Sequence, residues 1–434
     1  MPFFFVMDLA KLHECFKASS GVITDSRKLE QNCLFIALKG VNFDGNEFAE
    51  MAIEKGAKFA VVDRPEIAEK NDKMILVEDT LKSLQQLANY HRKQIPAKII
   101  ALTGSNGKTT TKELIHSVLS QKYVTRATVG NLNNHIGVPL TLLEFDEKTE
   151  IGVVEMGANH IGEIDFLSRI AAPDFGLITN YGYAHLEGFG SFEGVIKGKS
   201  ELYDYLLEKP GMVFLNIDDP IQKKWTNSLS AFTFGEDNQA DCNVNYIREK
   251  SGPLTIGFEK EKIQSQLYGD YNFTNLATAI AIGKYFELNQ EEIKKGIASY
   301  LPANNRSQII SKSTNRITLD AYNANPTSMR ASISSFCPTK QRKSIVIIGD
   351  MFELGTYASA AHQEVIDQLI HSAVEKVITV GDHFYQTQTE GQKFKKFRTL
   401  EETKKYIAQN RFDQTDILIK GSRGMALEGL LDFL

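Results

Sequence analysis

The residues that first suggest chemistry stand in Thr103-Gly-Ser-Asn-Gly-Lys-Thr-Thr110. Glycines let the backbone turn sharply, and the N–H groups of such a turn and of a helix starting after it form a cradle for an anion. In that setting Lys108 reaches the outer phosphates of a nucleotide and the Thr109 hydroxyl is a Mg2+ ligand. The pattern GxxxxGK[ST] is incomplete, because Leu102 stands where its first glycine belongs; what is present is GxxGKT. The string predicts phosphate binding through Gly104, Ser105, Asn106, Gly107, Lys108, Thr109 and Thr110, and by itself no particular reaction.

Other candidates are weaker alone. Glu155 closes an apolar run, residues 151–154, and opens Glu155-Met-Gly-Ala-Asn-His160. A carboxylate there suits a hard cation that bridges phosphates, or else an ordinary salt bridge. His185, in Tyr183-Ala-His-Leu-Glu187, is a ligand or a structural histidine. Lys199 falls on a predicted helix, residues 192–207, where a lysine is by default a surface group. Asp320-Ala-Tyr-Asn-Ala-Asn-Pro326 gathers an acid and two carboxamides at a strand end, although Asn and Pro also favour plain turns. Arg306 is positioned to meet a nucleotide from another domain. Thr24-Asp-Ser-Arg27 and Asp44-Gly-Asn-Glu-Phe48 are capped turns or a second anion site containing a guanidinium.

The elements that must position these groups follow from periodicity. Apolar runs at 33–38, 59–62 and 74–77, mixed with helical stretches, predict a small α/β unit. A helical pattern over 80–91 ends at Pro96, which sets a first boundary. Residues 99–102 predict a buried strand that feeds the glycine turn. A helix over 109–119 follows, with Leu114, Ile115, Val118 and Leu119 on one face. Runs at 151–154, 175–178 and 212–215 predict parallel strands covered on both faces, with ligand groups just beyond their C-terminal ends. Residues 232–258 read as a β insertion. After Pro302, runs at 317–319, 345–348, 377–380 and 417–419 predict a Rossmann-like unit without a dinucleotide fingerprint. The expected domains are 1–96, 97–302 and 303–434.

Composition agrees with a soluble α/β enzyme: 434 residues, 42% hydrophobic and 24% charged, with 49 basic and 54 acidic residues for a net charge of −5. That charge gives no general pull toward nucleic acid. No apolar run is long enough to span a bilayer, and Asp8 interrupts the apolar start too early for a signal peptide. The four cysteines, Cys15, Cys33, Cys242 and Cys337, are scattered and predict neither a disulfide framework nor a zinc site. A cytoplasmic location is expected.

Taken together, the strings resemble the Mur ligases along essentially the whole chain. They run in order: Asp25-Ser-Arg27, TGSNGKTT, NLNNHIGVP from Asn131, EMGANHIGEI, AHLEGFGS, YNFTNLATA, DAYNANP, GDMFELG and LIKGSRG. The resemblance implies three domains: a small α/β N-terminal domain for a UDP-sugar, a central P-loop ATPase-like domain with a parallel sheet, and a Rossmann-like C-terminal domain for the incoming amine. It implies ATP with two Mg2+ ions, held by Thr109, Glu155, His185 and Lys199. Lys108, His185 and Lys199 would be catalytic, with Lys199 carbamylated. Asn272, Asn275, Arg306, Asp320 and Asn323 would contact the nucleotide, and Thr24, Ser26, Arg27 and Asn134 the UDP substrate. Lys420 and Arg423 lie in a string of less definite role. The branch implied joins D-Ala-D-Ala to UDP-MurNAc-tripeptide through an acyl phosphate, as a monomer. The alternatives are a sibling that adds a diamino acid, a folylpolyglutamate synthase, or a nucleotide-binding module without ligation chemistry. The sibling usually carries a DNPR-type string, which is absent.

Overall fold

The computed structural model describes residues 7–248, 252–303, 305–336, 338–339, 341–389 and 391–434. Residues 1–6 of the apolar start and Cys337 therefore lie outside the described residues. Three main sheets, of four, nine and six strands, follow one another along the chain, beside a separate two-stranded hairpin.

The first sheet is parallel, with Val22–Ile23, Leu34–Ile36, Phe59–Val62 and Met74–Leu76 in sequential order. Helix Thr80–Arg92 leaves it toward the second sheet, started by Asp79, whose carboxylate accepts the Lys82 N–H at 2.7 Å.

In the second sheet Lys98–Thr103 lies between Ile151–Glu155 and Phe175–Ile178, and is parallel to both. Its two neighbours lead off in opposite directions, so a crevice opens beyond its C-terminal end. The sheet runs on through Met212–Asn216, Ser230–Gly235 and Cys242–Ile247 in parallel. It then turns antiparallel at Thr255–Phe258 and Glu261–Gln264. The runs expected to be parallel strands, at 151–154, 175–178 and 212–215, do pair in parallel. The strands within residues 232–258 extend the same sheet, and the two-residue turn at 259–260 permits only antiparallel pairing of its last two strands. Helix Lys108–Leu119 buries Leu114, Ile115, Val118 and Leu119 against this sheet, as the 3.6-residue period requires.

The third sheet has the order Gln308–Lys312, Asn315–Asp320, Thr415–Lys420, Lys343–Gly349, Lys376–Val380, Phe394–Phe397. All its pairings are parallel except the first. The antiparallel edge strand was not legible beforehand. Its last strand in sequence, Thr415–Lys420, inserts beside Asn315–Asp320 and sets Lys420 in register with Asp320, 100 residues away. No helix among the described residues is long and apolar enough to cross a membrane. Cys15, Cys33 and Cys242 are free.

Candidate active site

The turn between Lys98–Thr103 and Lys108–Leu119 is possible only with its two glycines. Gly104 and Gly107 have φ of +144° and +79°, and a Cβ on them would lie 2.0 Å from Thr179 Oγ1 and 2.5 Å from Asn275 Oδ1. The neighbouring strand end braces the loop. Asn180 accepts the Asn106 N–H at 3.1 Å and donates its own amide to the Asn106 carbonyl at 3.0 Å. Lys108 Nζ donates to the Gly104 carbonyl at 2.7 Å. Burial lowers this ammonium from the ordinary lysine range; Glu155 opposes the shift and Arg306 adds to it.

Above the loop lies a cavity of about 490 Å3, walled by both the second and the third sheet's domains. It is lined by Ser105, Asn106, Gly107, Lys108, Thr109 and Thr110 of the loop and by Glu155 and His185 of the same domain. Asn134, Asn272 and Asn275 also reach it, and Arg306, Asp320 and Asn323 come from the other side. Gly104 braces the loop from outside this lining. A smaller cavity of about 330 Å3 continues past Thr109, Asn131, Arg306, Tyr322 and Arg423.

Three buried side-chain atoms in the main cavity have no hydrogen-bond partner: Asn106 Nδ2, Glu155 Oε2 and Arg306 Nε. An unmade buried hydrogen bond costs about 1–3 kcal/mol, so two donors and one acceptor on residues that line the cavity are left for a polar partner. The other Glu155 oxygen accepts from the Thr109 hydroxyl at 3.2 Å and from Asn133 Nδ2 at 2.8 Å. The Arg306 guanidinium stacks on Tyr322, 3.8 Å from the ring centroid, which fixes its plane. Burial pushes the Asp320 carboxyl up, but the charge and hydrogen bond of Lys420 at 2.6 Å outweigh it. With Ser332 Oγ and the Ser307 N–H they hold Asp320 below the usual aspartate range.

Lys199 departs from the default of a solvated surface lysine. It is fully buried, because the helix Phe192–Glu208 turns this face inward, and its Nζ donates to the Ala158 carbonyl at 2.9 Å. Burial, reinforced by the charge of Lys108, puts its ammonium well below the ordinary lysine range. It stands behind the cavity wall that Ala158 lines. His185 contacts the Glu353 carboxylate through Nδ1. Among the described residues no three His, Cys, Asp or Glu side chains converge to hold a metal by themselves. The expected metal set contains only Glu155 and His185 of those types.

Thr24, Ser26 and Arg27 line neither cavity. Arg27 is exposed on a short 3-10 turn and pairs bidentately with Asp25, at 2.9 and 2.8 Å. Asn134 reaches the cavity, but its side-chain Oδ1 also accepts the Ile136 and Gly137 N–H groups at the start of helix Gly137–Leu143. Its neighbour Asn133 is the one that touches Glu155. Asn133, Asn180 and Glu353 were not singled out from sequence, and Asn325 only as one of two carboxamides at a strand end. Asn325, which caps helix Pro326–Ser335, also donates to Asn106 Oδ1 at 2.7 Å across the cleft. The Asn-Pro order was the available signal, but it shows only the cap.

Comparison with known proteins places this geometry. Family models match in three consecutive stretches: the "Mur ligase family, catalytic domain" over residues 19–92, the "Mur ligase middle domain" over 102–283 and the "Mur ligase, glutamate ligase domain" over 305–423. The chain is 37% identical to a UDP-N-acetylmuramoyl-tripeptide–D-alanyl-D-alanine ligase of Bacillus subtilis, over 95% of this chain and 92% of that protein. It superposes on a crystal structure of MurF from Acinetobacter baumannii with a TM-score of 0.85 at 30% identity, covering 98% and 97% of the two chains. MurF ligase from Thermotoga maritima in complex with ADP gives 0.83 at 25% identity, covering 96% and 97%.

Proposed function

The chain belongs to the Mur ligase family, and from that premise we propose that it joins D-Ala-D-Ala to UDP-MurNAc-tripeptide with conversion of ATP to ADP and phosphate. The product, UDP-MurNAc-pentapeptide, serves peptidoglycan synthesis in the cytoplasm. The observation that carries this reading is the set of partnerless polar atoms, from both sides of the cleft, around one phosphate-binding loop.

A carboxylate is a poor electrophile because it has no leaving group at neutral pH. Attack of the tripeptide carboxylate on the γ-phosphate forms an acyl phosphate and releases ADP. The neutral amine of D-Ala-D-Ala then adds to the carbonyl, and phosphate leaves as the amide forms. Both steps gather anions, so stabilisation of developing charge by fixed donors dominates. On this reading the loop N–H groups and Lys108 hold the phosphates, and Arg306 and Asn106 meet the transferring group. Asn272, Asn275, Asp320 and Asn323 orient the nucleoside. The acyl phosphate must be kept from water, which a cleft between two domains accomplishes.

The residues fit Mg2+. Glu155 offers an unpartnered oxygen beside the Thr109 hydroxyl, and hard cations prefer such ligands. His185 lines the same space. When bound, Mg2+ supplies neutralising charge at the phosphates. Burial disfavours the Lys199 ammonium and so favours the amine form that takes up CO2; the carbamate so formed would be anionic and would suit a second cation. The Thr24–Arg27 turn lies on the N-terminal domain, apart from the phosphate loop, as a separate UDP subsite would.

The test is phosphate release by purified protein given ATP, UDP-MurNAc-tripeptide and candidate amines, with products identified by mass. Release that depends on D-Ala-D-Ala is the expected result. Release that depends on a free diamino acid with the dipeptide precursor would reassign the chain to the sibling activity.

A further inference from the structure

The segment carrying His185 is held by the C-terminal domain at three points. The Tyr183 N–H donates to Thr327 Oγ1 at 3.0 Å, the Glu187 N–H donates to the Glu353 carbonyl at 3.2 Å, and His185 Nδ1 meets the Glu353 carboxylate. His185 and Glu353 both have left-handed backbones, with φ of 54° and 61°. Such a conformation persists in a non-glycine residue only where its surroundings over-determine it. Gly355, also left-handed, brings the second loop against Glu187, where even an added Cβ would sit 3.6 Å from its Cα. Two tight loops from different domains are thus shaped to meet at one imidazole.

The consequence for that imidazole is chemical. Its Nδ1 is taken by Glu353, which is not among the cavity-lining residues, whereas His185 is. Nε2 makes no hydrogen bond to any described residue. A carboxylate on one ring nitrogen fixes the tautomer with hydrogen on Nδ1 and leaves Nε2 as the ligand atom; metal-binding histidines almost always have such an outer partner.

We infer that Glu353 is a positioning residue supplied in trans by the C-terminal domain, which orients His185 Nε2 toward the cation and makes the metal site complete only when that domain is seated. The inference rests on the metal role proposed for His185. Cation affinity is then linked to domain seating: whatever closes the cleft tightens the metal, and the metal in turn favours closure.

Mn2+ binding, followed by electron paramagnetic resonance, tests this on the full-length protein saturated with a non-hydrolysable ATP analogue and UDP-MurNAc-tripeptide. Glu353→Ala is expected to weaken Mn2+ by about 10–100-fold. Glu353→Gln should recover part of the loss, since an amide oxygen still accepts from Nδ1–H. In a His185→Ala background, Glu353→Ala should add nothing. Unchanged affinity in Glu353→Ala overturns the inference, as does an equal further loss in the His185→Ala background, which would mean that Glu353 acts through something other than the imidazole. If His185→Ala itself binds Mn2+ like the wild type, both the inference and the metal role of His185 fall.

Discussion

Replacing Lys420 by Met isolates the pair that the third sheet builds at the cavity wall. The two side chains are register partners on adjacent strands, 2.6 Å apart, with Lys420 2% and Asp320 15% exposed. Removing one member of a buried pair costs about 3–5 kcal/mol because the other charge is left behind. Asp320 retains some exposure and its bonds from Ser332 and Ser307, so the low end, about 3 kcal/mol, applies near pH 8. In the wild type the Asp320 carboxyl is held below its usual value. The stabilisation from that shift is therefore complete above the unfolded-state value of about 4 and is lost only as pH falls through the folded one. In Lys420→Met, burial acts without its main opponent and the folded carboxyl rises above the unfolded value. The folded variant then takes up a proton as the pH is lowered, and its deficit shrinks toward about pH 5. Since a three-domain chain need not unfold in one step, hydrogen exchange on peptides spanning Asn315–Asp320 and Thr415–Lys420 is the suitable assay. A loss under about 1 kcal/mol at pH 8, or the same loss at pH 5, would refute the reasoning.

Lys108→Ala should lower kcat by about 100-fold or more with the melting temperature unchanged; a near-normal rate in single-turnover phosphate transfer would remove its phosphate role. Lys199→Ala should be nearly inactive and regain part of its rate with added short carboxylic acids, measured as phosphate release at increasing acid concentration. Full activity without them would mean that no carbamate is needed. Arg27→Ala should raise KM for UDP-MurNAc-tripeptide by about 10-fold, the worth of one charged hydrogen bond, while leaving KM for ATP alone. The reverse order in steady-state kinetics would put the sugar site elsewhere.

The phosphate loop was legible because everything that defines it is local: a buried strand, two glycines and an amphipathic helix within about one supersecondary unit. Asp320 was readable as a strand-end acid, but not its partner. That pairing depends on which strand inserts beside Asn315–Asp320, and the pattern of an apolar run does not specify its neighbour. The burial of Lys199 was not readable from its helix alone for a related reason. Helix Phe192–Glu208 packs on more than one side, so a residue type that is usually solvated ends up behind Ala158. Residues 232–258 were hard to read because their alternation resembles an inserted β unit as much as a sheet edge. Glu353 sat in a string of the resemblance with no role attached, since only the meeting of two loops across domains gives it one.

The division of the partnerless atoms between domains has an energetic consequence. Asn106 and Glu155 lie in the stretch of the second sheet and Arg306 at the start of the third, and all three line one cavity with a buried, partnerless atom. Water can satisfy them when the cleft is open; seating the domains over an empty site strips that water and leaves each at a cost of about 1–3 kcal/mol. On the proposed reading, phosphate oxygens and a cation would remove the cost by making the missing bonds. Closure would then be disfavoured without nucleotide and favoured with it. The atoms proposed to meet the transferring phosphoryl group would thus also delay the sealing of the cleft until nucleotide is bound.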